Sequence, residues 1–326
     1  MKADITQSLQ SALAGRYTIE RELGRGGMAT VFLAHDREGK AVALKLLNPD
    51  LSSTLGAGRF RREIRVAARL QHANILSVLD SGVATVPVGG GSVEFLWFTM
   101  PFVEGQNVWE RLERDGPLPA EEVIRIGGAV AAALEFAHGQ GVVHRDIKPD
   151  NIMLEGDRVL VADFGVARAV SEVQDKLTAT GMVVGTPTYM SPEQASGDRE
   201  LDGRSDIFAL ACVLYELLSG EPPFRGPTPQ ATLMRRFTGP PRALRPVVQV
   251  PEATEAAILR ALARDPADRF ATAGEFAAAL AGIQAEPPLP EPTPPAGAQS
   301  SGRKRWAAVA LIAAALTAAI RRLLRR

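Results

Sequence analysis

The spacing of hydrophobic residues changes once along this chain, near residue 103. Residues 17–103 carry short apolar runs such as TVFLA, AVALKLL and EFLWFTM around one helical segment, GRFRREIRVAARL. Residues 104–283 carry longer amphipathic runs, among them AEEVIRIGGAVAAALEFAHG and DIFALACVLYELLSG. Short alternating runs favour strands, whereas runs with a 3.6-residue period favour helices. We therefore expect an α+β, bilobal fold in which a small β-rich lobe precedes a larger helical lobe.

Three segments lie outside the two predicted lobes. Residues 1–16 form a leader that lacks the continuous apolar stretch of a signal peptide. Residues 284–302 are rich in proline with small and polar residues, which indicates an extended linker. Residues 303–326 combine an apolar stretch with basic ends, and we expect them to form a separate C-terminal helix.

Composition narrows the classes of protein to consider. With 46% hydrophobic residues, the 326-residue chain can bury a sizeable core. It has 37 basic and 37 acidic side chains, so its charge gives no reason to expect a nucleic-acid partner. Its single cysteine, Cys212, lies in an apolar run, which predicts a buried thiol in a reducing compartment. We therefore expect both lobes to be cytoplasmic.

A glycine-rich segment opens the small lobe. In LGRGGMATVFLA, residues 23–34, Gly24, Gly26 and Gly27 precede a β-branched strand. Glycines allow the backbone to approach a phosphate closely and to point N–H groups at it. An ordinary hairpin turn has the same composition, so this segment alone leaves both interpretations open.

A lysine and a glutamate on neighbouring elements sharpen the interpretation. In AVALKLL, both faces of the predicted strand are apolar except for Lys45. On the helix at 59–71, Glu63 shares the face of Phe60, Ile64, Ala67 and Ala68, the predicted buried stripe. A carboxylate that faces a core is costly unless it is paired. We therefore expect a Lys45–Glu63 ion pair, which next to a glycine loop favours a polyphosphate site over a purely structural pair.

Polar residues interrupt the apolar stretch VVHRDIKPDNIML, residues 142–154. Asp146 and Asn151 are separated by Pro149, which keeps the segment from being helical and lets both side chains face one site. Asp146 can accept a proton from a hydroxyl nucleophile, while Lys148 and a metal on Asn151 can balance phosphoryl charge. The following strand, VLVADFG, ends in Asp163, a second oxygen ligand suited to Mg²⁺.

Taken together, these segments resemble the motif set of the protein kinases. The segments LGRGGMATVFLA, GTPTYMSPEQA and DPADRF are similar to those of bacterial, eukaryotic-like (Hanks-type) serine/threonine kinases. The motif D-I-K-P-D-N resembles that of serine/threonine kinases rather than that of tyrosine kinases. The matching motifs, spread over about residues 17–282, are Gly24-x-Gly26, Val42-Ala43-Leu44-Lys45, Glu63, His144-Arg145-Asp146, Asn151, Asp163-Phe164-Gly165 and Ser191-Pro192-Glu193.

The resemblance implies a role for each matching residue. Lys45 would bind the α- and β-phosphates of ATP and Glu63 would orient it. Asn151 and Asp163 would hold Mg²⁺, with Mn²⁺ as the alternative ion, and Asp146 would accept the substrate proton. The nucleotide would contact Leu23, Gly24, Gly26, Gly27, Val31, Ala43, Lys45, Met100, Pro101 and Val103. Two departures from the family pattern, Ala29 in the glycine loop and Ser191 before Pro192, remove no catalytic group.

Within this pocket the resemblance makes Met100 the gatekeeper. The backbone of Pro101 and Val103 would hydrogen-bond adenine, and Val31 and Ala43 would cover the ring.

The resemblance also assigns regulatory and structural positions. Thr178 and Thr180 match an autophosphorylation pair, whose phosphates the Arg145 guanidinium would receive. Thr186 would hydrogen-bond the catalytic aspartate and lysine. Two further contacts are implied, namely a Glu193–Arg269 ion pair and a hydrogen bond from the catalytic-loop backbone to Asp206. From its position alone, Asp206 could also be a helix N-cap.

The C-terminal segment, 303–326, leaves three interpretations open. Residues 306–320 contain fifteen uncharged positions, which as a helix reach about 22 Å, short of a bilayer core of about 30 Å. The segment can span with snorkelling arginines, lie in the interface of an anionic membrane, or bind a soluble partner as a helix. Either membrane arrangement would tether the cytoplasmic lobes.

The leading prediction is a membrane-associated, Mg-ATP-dependent kinase that phosphorylates Ser and Thr of protein substrates and of its own activation segment. A homodimer formed through the kinase domain is a further arrangement that the resemblance allows. One alternative is a catalytically weak scaffold that keeps the fold for binding. Another is phosphoryl transfer to a small molecule, which the threonine-rich segment and the Ser191-Pro192-Glu193 motif disfavour.

Overall fold

The computed structural model describes residues 2–88, 91–164, 187–198, 200–245 and 248–283. Both lobes belong to one compact unit, residues 1–285. The small lobe is an antiparallel five-stranded sheet in the order β1-β2-β3-β5-β4, with two helices between β3 and β4. Its strands and helices are β1 (Thr18–Arg25), β2 (Ala29–His35), β3 (Ala41–Leu47), α2 (Pro49–Leu55), α3 (Ala57–Ala67), β4 (Asp80–Val88) and β5 (Gly91–Pro101).

The alternation along β3 confirms that this strand is buried on both faces. Val42, Leu44 and Leu46 point into an outer cluster that contains Trp97. Ala43 and Leu47 point to the opposite side, where α3 packs. Because each face meets a different apolar layer, the strand could not slip by one residue without exchanging its two sets of side chains.

The first residues, predicted as a leader ahead of the small lobe, include a helix that packs on the sheet. Helix α1 (Lys2–Ala12) precedes β1, and Leu9 and Leu13 are buried in the outer cluster with Trp97. The amide of Gln10 donates to the carbonyl of Tyr17 at 3.1 Å and accepts from the backbone N–H of Ile19 at 2.6 Å. The outer face of the sheet is therefore covered by its own N-terminal segment.

The larger lobe is mostly helical, as predicted. A three-stranded sheet in the order β6-β7-β8 lies beside its helices. The elements are β6 (Gln106–Asn107), α4 (Val108–Asp115), α5 (Ala120–Gly139), β7 (Ile152–Glu155), β8 (Arg158–Val161), α6 (Pro192–Ala195), α7 (Gly203–Ser219), α8 (Pro229–Thr238), α9 (Glu252–Ala261) and α10 (Ala273–Leu280).

Helix α7 is the centre of this lobe, and nearly all of its residues are buried. Asp202 caps its N-terminus by accepting from the backbone N–H of Arg204, and Gly220 ends it in the left-handed conformation. The sequence-based suggestion that Asp206 is the cap is therefore wrong, because Asp206 lies within the first turn. Cys212 is fully buried in this helix, and burial raises the pKa of its thiol to about 12.

The two lobes meet along strand β8. The backbone N–H of Leu76 donates to the carbonyl of Val161 at 2.9 Å, and the N–H of Val161 donates to the carbonyl of Asn74 at 2.8 Å. Leu160 and Ala162 belong to the inner cluster of the small lobe, the apolar cluster that contains Ala43 and Leu47. The strand thus carries the residues that follow it, including Asp163, into the cleft between the lobes.

Several predicted features lie outside the described residues, namely Thr178, Thr180, Thr186, the linker at 284–302 and the C-terminal segment at 303–326. Among the helices that the structure describes, none combines the length and apolarity needed to cross a membrane.

Candidate active site

The glycine-rich segment forms the turn between β1 and β2. The N–H of Gly26 donates to the carbonyl of Ala29 at 2.9 Å, and Gly24 lies opposite Val31 in the strand register. A Cβ added at Gly24 or Gly27 would have no neighbour within 4 Å. Glycine here leaves open space beside the backbone, as a bound phosphate would require.

Asn48, which follows β3, anchors this turn. Its side-chain amide donates to the carbonyl of Gly27 at 2.7 Å, and its backbone N–H donates to the carbonyl of Met28 at 2.8 Å. This contact could not be expected from the sequence, because an isolated Asn between a strand and Pro49 also fits a simple turn.

An apolar cluster lies behind the turn, where the resemblance places adenine. Ala43 and Met100 lie opposite each other on β3 and β5, and both belong to the inner cluster with Val103. Val31 packs against this cluster from β2, and Met153 does so from β7 of the larger lobe. Leu23 is partly exposed on β1. Pro101 ends β5 and leads to Val103.

Met153 packs against this apolar cluster and was not expected there from the sequence. It is half-buried, whereas its neighbours Ile152 and Leu154 are buried in the larger lobe. This alternation along β7 is the signal that could have identified it, because it turns Met153 toward the opposite lobe.

Lys45 pairs with Asp163, and the predicted Lys45–Glu63 pair is therefore wrong for this structure. The Lys45 ammonium donates to Asp163 Oδ2 at 2.5 Å. Glu63 is half-buried, and its side chain makes no hydrogen bond or ion pair with another described residue. The Asp163 side chain is only 12% exposed and one of its oxygens is buried without a partner among the residues described, so this carboxylate needs a cation. Ala68, predicted to be buried beside Glu63, is exposed at the end of α3.

Asp163 has three features of a functional carboxylate. Its backbone is in the left-handed region, with φ of 69°. Burial raises its pKa, but Lys45 and, to a smaller extent, His144 and Lys148 together outweigh burial, and the net pKa of Asp163 lies below its usual value. Its Oδ1 atom is buried without a hydrogen-bond partner in the described part of the chain. An ionised, unsatisfied oxygen in this position fits a cation ligand.

Asp146, Lys148 and Asn151 converge across the cleft. The Lys148 ammonium lies 2.9 Å from Asp146 Oδ2. The side-chain amide of Asn151 donates to the Asp146 carbonyl at 2.8 Å and to its Oδ2 at 3.2 Å. Burial lowers the pKa of Lys148, but Asp146 outweighs it and the net pKa is raised. These contacts hold a carboxylate beside an ammonium that stays charged.

Helix α7 supports this loop through Asp206. Its carboxylate accepts from the backbone N–H groups of His144 and Arg145, each at 2.7 Å, and lies 2.8 Å from His138 Nε2. The hydrogen bond from the catalytic-loop backbone to Asp206, which the resemblance implies, is present. The contact between His138 and Asp206 was not expected from the sequence. Since Asp206 is 1% exposed, these contacts supply the hydrogen bonds that water cannot reach to make.

His144 joins the loop to strand β8. Its Nδ1 accepts from the N–H of Asp146 at 3.2 Å, so its Nε2 carries the hydrogen that it donates to the Ala162 carbonyl at 2.9 Å. Its ring also contacts Phe164 edge to face at 4.6 Å. His144 therefore links the positions of Asp146 and Asp163.

The Glu193–Arg269 ion pair is also present. Two Arg269 nitrogens lie 2.7 and 2.8 Å from the two carboxylate oxygens of Glu193. Burial raises the pKa of Glu193, but Arg269 outweighs burial and the net pKa is lowered. Ser205 also donates to Glu193 at 2.6 Å. The ion pair joins α6 to the segment between α9 and α10, and the Ser205 hydrogen bond joins α6 to the start of α7.

Comparison with known proteins agrees with this geometry. Residues 17–278 match the protein kinase domain. The chain is 40% identical over 310 residues to serine/threonine-protein kinase pkn3 of Myxococcus xanthus, covering 91% of this chain and 55% of that protein. It is 40% identical over 285 residues to PknB of Mycobacterium tuberculosis, covering 85% of this chain and 44% of PknB.

The chain thus spans about half the length of the curated relatives it matches. Its fold is similar to the crystal structure of the Mycobacterium tuberculosis PknI kinase domain, with a TM-score of 0.63 and 34% identity, covering 83% of this chain and 96% of that one. Both the sequence and the fold place the chain in one group. It belongs to the protein kinase family, among the eukaryotic-like serine/threonine kinases of bacteria.

Proposed function

We propose that this protein transfers the γ-phosphoryl group of ATP to Ser and Thr hydroxyls of proteins. The observation that carries the proposal is the loop geometry, in which Asp146 Oδ2 lies within hydrogen-bond distance of both Lys148 and Asn151. A decayed scaffold would have little reason to keep this arrangement beside the Lys45–Asp163 pair.

The chemistry follows from these positions. The substrate hydroxyl forms a bond to the γ-phosphorus as the bond to the bridging oxygen of ADP breaks, and Asp146 takes the hydroxyl proton. Lys148 offsets the negative charge on the transferring group. Lys45 is positioned to bind the α- and β-phosphates once its ammonium is shared between Asp163 and the nucleotide.

Mg²⁺ is the ion that these residues fit, with Mn²⁺ as the alternative. Asp163 offers its unpartnered Oδ1, and Asn151 donates through its nitrogen to Asp146, which leaves its amide oxygen as the ligand. In the described part of the chain no three His, Cys, Asp or Glu side chains form a metal cluster. Two protein oxygens supplemented by phosphates and water suit Mg²⁺, which when bound neutralises phosphate charge.

We also propose Thr178 and Thr180, with Thr186 as a supporting residue, as the regulated part of the activation segment. The support on the described side is Arg145, whose Nε is buried without a partner there. A phosphate provides strong acceptors for such a guanidinium. The C-terminal segment is proposed to associate with an anionic membrane, and the kinase domain to form a homodimer.

Labelled ATP with Mg²⁺ tests the activity. Wild-type protein should label itself at Thr178 or Thr180 and label a peptide of residues 172–184, whereas Asp146→Asn should label neither. Asp157→Asn, an exposed position in the turn after β7, is the matched control and should behave as wild type. ATP binding by wild type without any transfer would favour the scaffold instead.

A further inference from the structure

The residue before Asp146 has a backbone conformation that needs support. Arg145 has φ of 69°, a region that residues with a Cβ rarely adopt. Its N–H donates to Asp206 Oδ1 at 2.7 Å, so helix α7 fixes one side of the residue. The direction of Asp146 depends on this backbone, and hence on what holds the carbonyl of Arg145.

A glutamine on α6 holds that carbonyl. Gln194 Nε2 donates to the Arg145 carbonyl at 2.9 Å, and Gln194 Oε1 accepts from the backbone N–H of Ser191 at 3.0 Å. One partner is an obligate acceptor and the other an obligate donor, so only this orientation of the amide satisfies both. The second bond belongs to the capping box that starts α6.

The support for Gln194 is itself rigid. Helix α6 has only four residues, but the adjacent Glu193 forms the two-bond ion pair with Arg269, whose side chain is fully buried. Because the Glu193–Arg269 pair holds α6 in place, Gln194 can fix the catalytic loop at Arg145. In sequence, Gln194 and Arg145 are 49 residues apart, so no local rule in the loop supplies this contact.

We propose that Gln194 is a positioning residue for phosphoryl transfer, which holds the left-handed backbone of Arg145 and thereby aims Asp146 at the substrate hydroxyl. The proposal rests on the proposed kinase function. Gln194 acts through Arg145 rather than on the substrate, and its effect should therefore fall on kcat more than on the KM for ATP.

Two substitutions separate this role from helix capping. Gln194→Glu keeps an acceptor for the Ser191 N–H and completes a capping box equally well, but it places a carboxylate oxygen against the Arg145 carbonyl. Gln194→Met has a similar length and loses both hydrogen bonds without adding repulsion. Ser196→Ala removes a hydrogen bond to Pro192 from the other end of the helix and is the matched control.

The measurements are kcat and the KM for ATP with the 172–184 peptide, and the melting temperature of the full chain. Rates are referred to the fraction of protein that binds ATP, so partial unfolding cannot imitate a slow enzyme. We expect Gln194→Glu to lower kcat by about tenfold or more, further than Gln194→Met does, with the KM for ATP changed less than about twofold. Stability should follow the opposite order, because Gln194→Met loses both hydrogen bonds whereas Gln194→Glu keeps the one to Ser191. We expect Gln194→Met to melt about 2–4 °C below Gln194→Glu.

The reversed order is what a purely structural role would not produce. If capping were the only role, kcat would follow stability and Gln194→Glu would be the more active variant, which would overturn the proposal. Equal kcat for Gln194→Glu and wild type would overturn it as well. An inactive wild type would instead refute the proposed kinase function, so the two failures are distinguishable.

Discussion

The ion pair between Lys45 and Asp163 is the residue-scale feature that decides how the cleft is organised. Asp163 is enclosed and its pKa lies below the usual value, because Lys45, together with smaller contributions from other side chains, outweighs the effect of burial. Glu63 is half-buried and unpaired in the described structure. The Lys45 side chain is 20% exposed and can be partly hydrated, whereas Asp163, at 12%, depends more on its ion pair with Lys45.

This asymmetry predicts unequal effects of removing the two partners. Lys45→Met leaves a buried, uncompensated carboxylate and should lower the free energy of unfolding by about 3–5 kcal/mol. Asp163→Asn should cost less, and the double substitution should cost less than the sum of the two. Urea unfolding of the four proteins at pH 7 gives these values. Additive effects would show that the pair contributes no coupling.

The contribution of the Lys45–Asp163 pair to stability should depend on pH in a direction set by the pKa of Asp163. Since the folded-state pKa of Asp163 is depressed, the pair contributes stability above the ordinary aspartate pKa of about 3.9. That contribution is lost as the pH falls through the folded-state value. The stability difference between wild type and Lys45→Met should therefore shrink in acid, and a difference that grows instead would contradict the assignment.

At the scale of elements, local patterns predicted most of the fold. The periodic run AEEVIRIGGAVAAALEFAHG coincides with α5, and the alternation in AVALKLL assigns the two faces of β3 correctly. The predicted helix around Glu63 ends earlier than expected, because turns at Arg69 and Leu70 replace helical hydrogen bonds while the apolar pattern continues. Sequence periodicity does not register that change.

Contacts between distant segments were the part that could not be predicted. Helix α1 has few apolar residues, and its partner Trp97 is more than 80 positions away. Whether Asp163 or Glu63 pairs with Lys45 depends on how folding places these side chains relative to each other. Neither contact exists before the chain has folded. The motif residues of the cleft, by contrast, could be identified from the sequence because each lies in a short continuous motif.

Two adjacent glycines in α5 test the packing of the larger lobe. A Cβ at Gly127 would lie 2.9 Å from Leu214 of α7 and 3.1 Å from Leu280 of α10, while one at Gly128 would have no neighbour within 4 Å. Gly128→Ala should raise the free energy of unfolding by about 0.5–1 kcal/mol through helix propensity. Gly127→Ala should lower it by about 1–3 kcal/mol through overpacking.

Chemical denaturation of the two variants beside wild type measures both effects. Both variants replace a glycine of α5 by alanine, so the gain in helix propensity is the same in both. The difference between their free energies of unfolding therefore measures the contact with α7 and α10. Equal stabilisation by both alanines would mean that α5 does not pack as closely as described.

At the scale of the whole molecule, catalysis and localisation should be separable. The kinase match ends at residue 278, helix α10 ends at Leu280, and both lobes lie within residues 1–285. We therefore expect residues 1–285 to phosphorylate the 172–184 peptide with kcat and KM within about twofold of the full chain, since every residue of the cleft is retained.

Membrane association should be lost in the same truncation, because the apolar and basic residues of 303–326 are absent from it. Residues 1–302 keep the linker and control for its removal. If the full chain spans a bilayer, it should stay in membranes after a carbonate wash, whereas an interfacial helix should be released. A full chain that never sediments with membranes would contradict both arrangements and favour a soluble partner for the tail, while leaving the catalytic prediction intact.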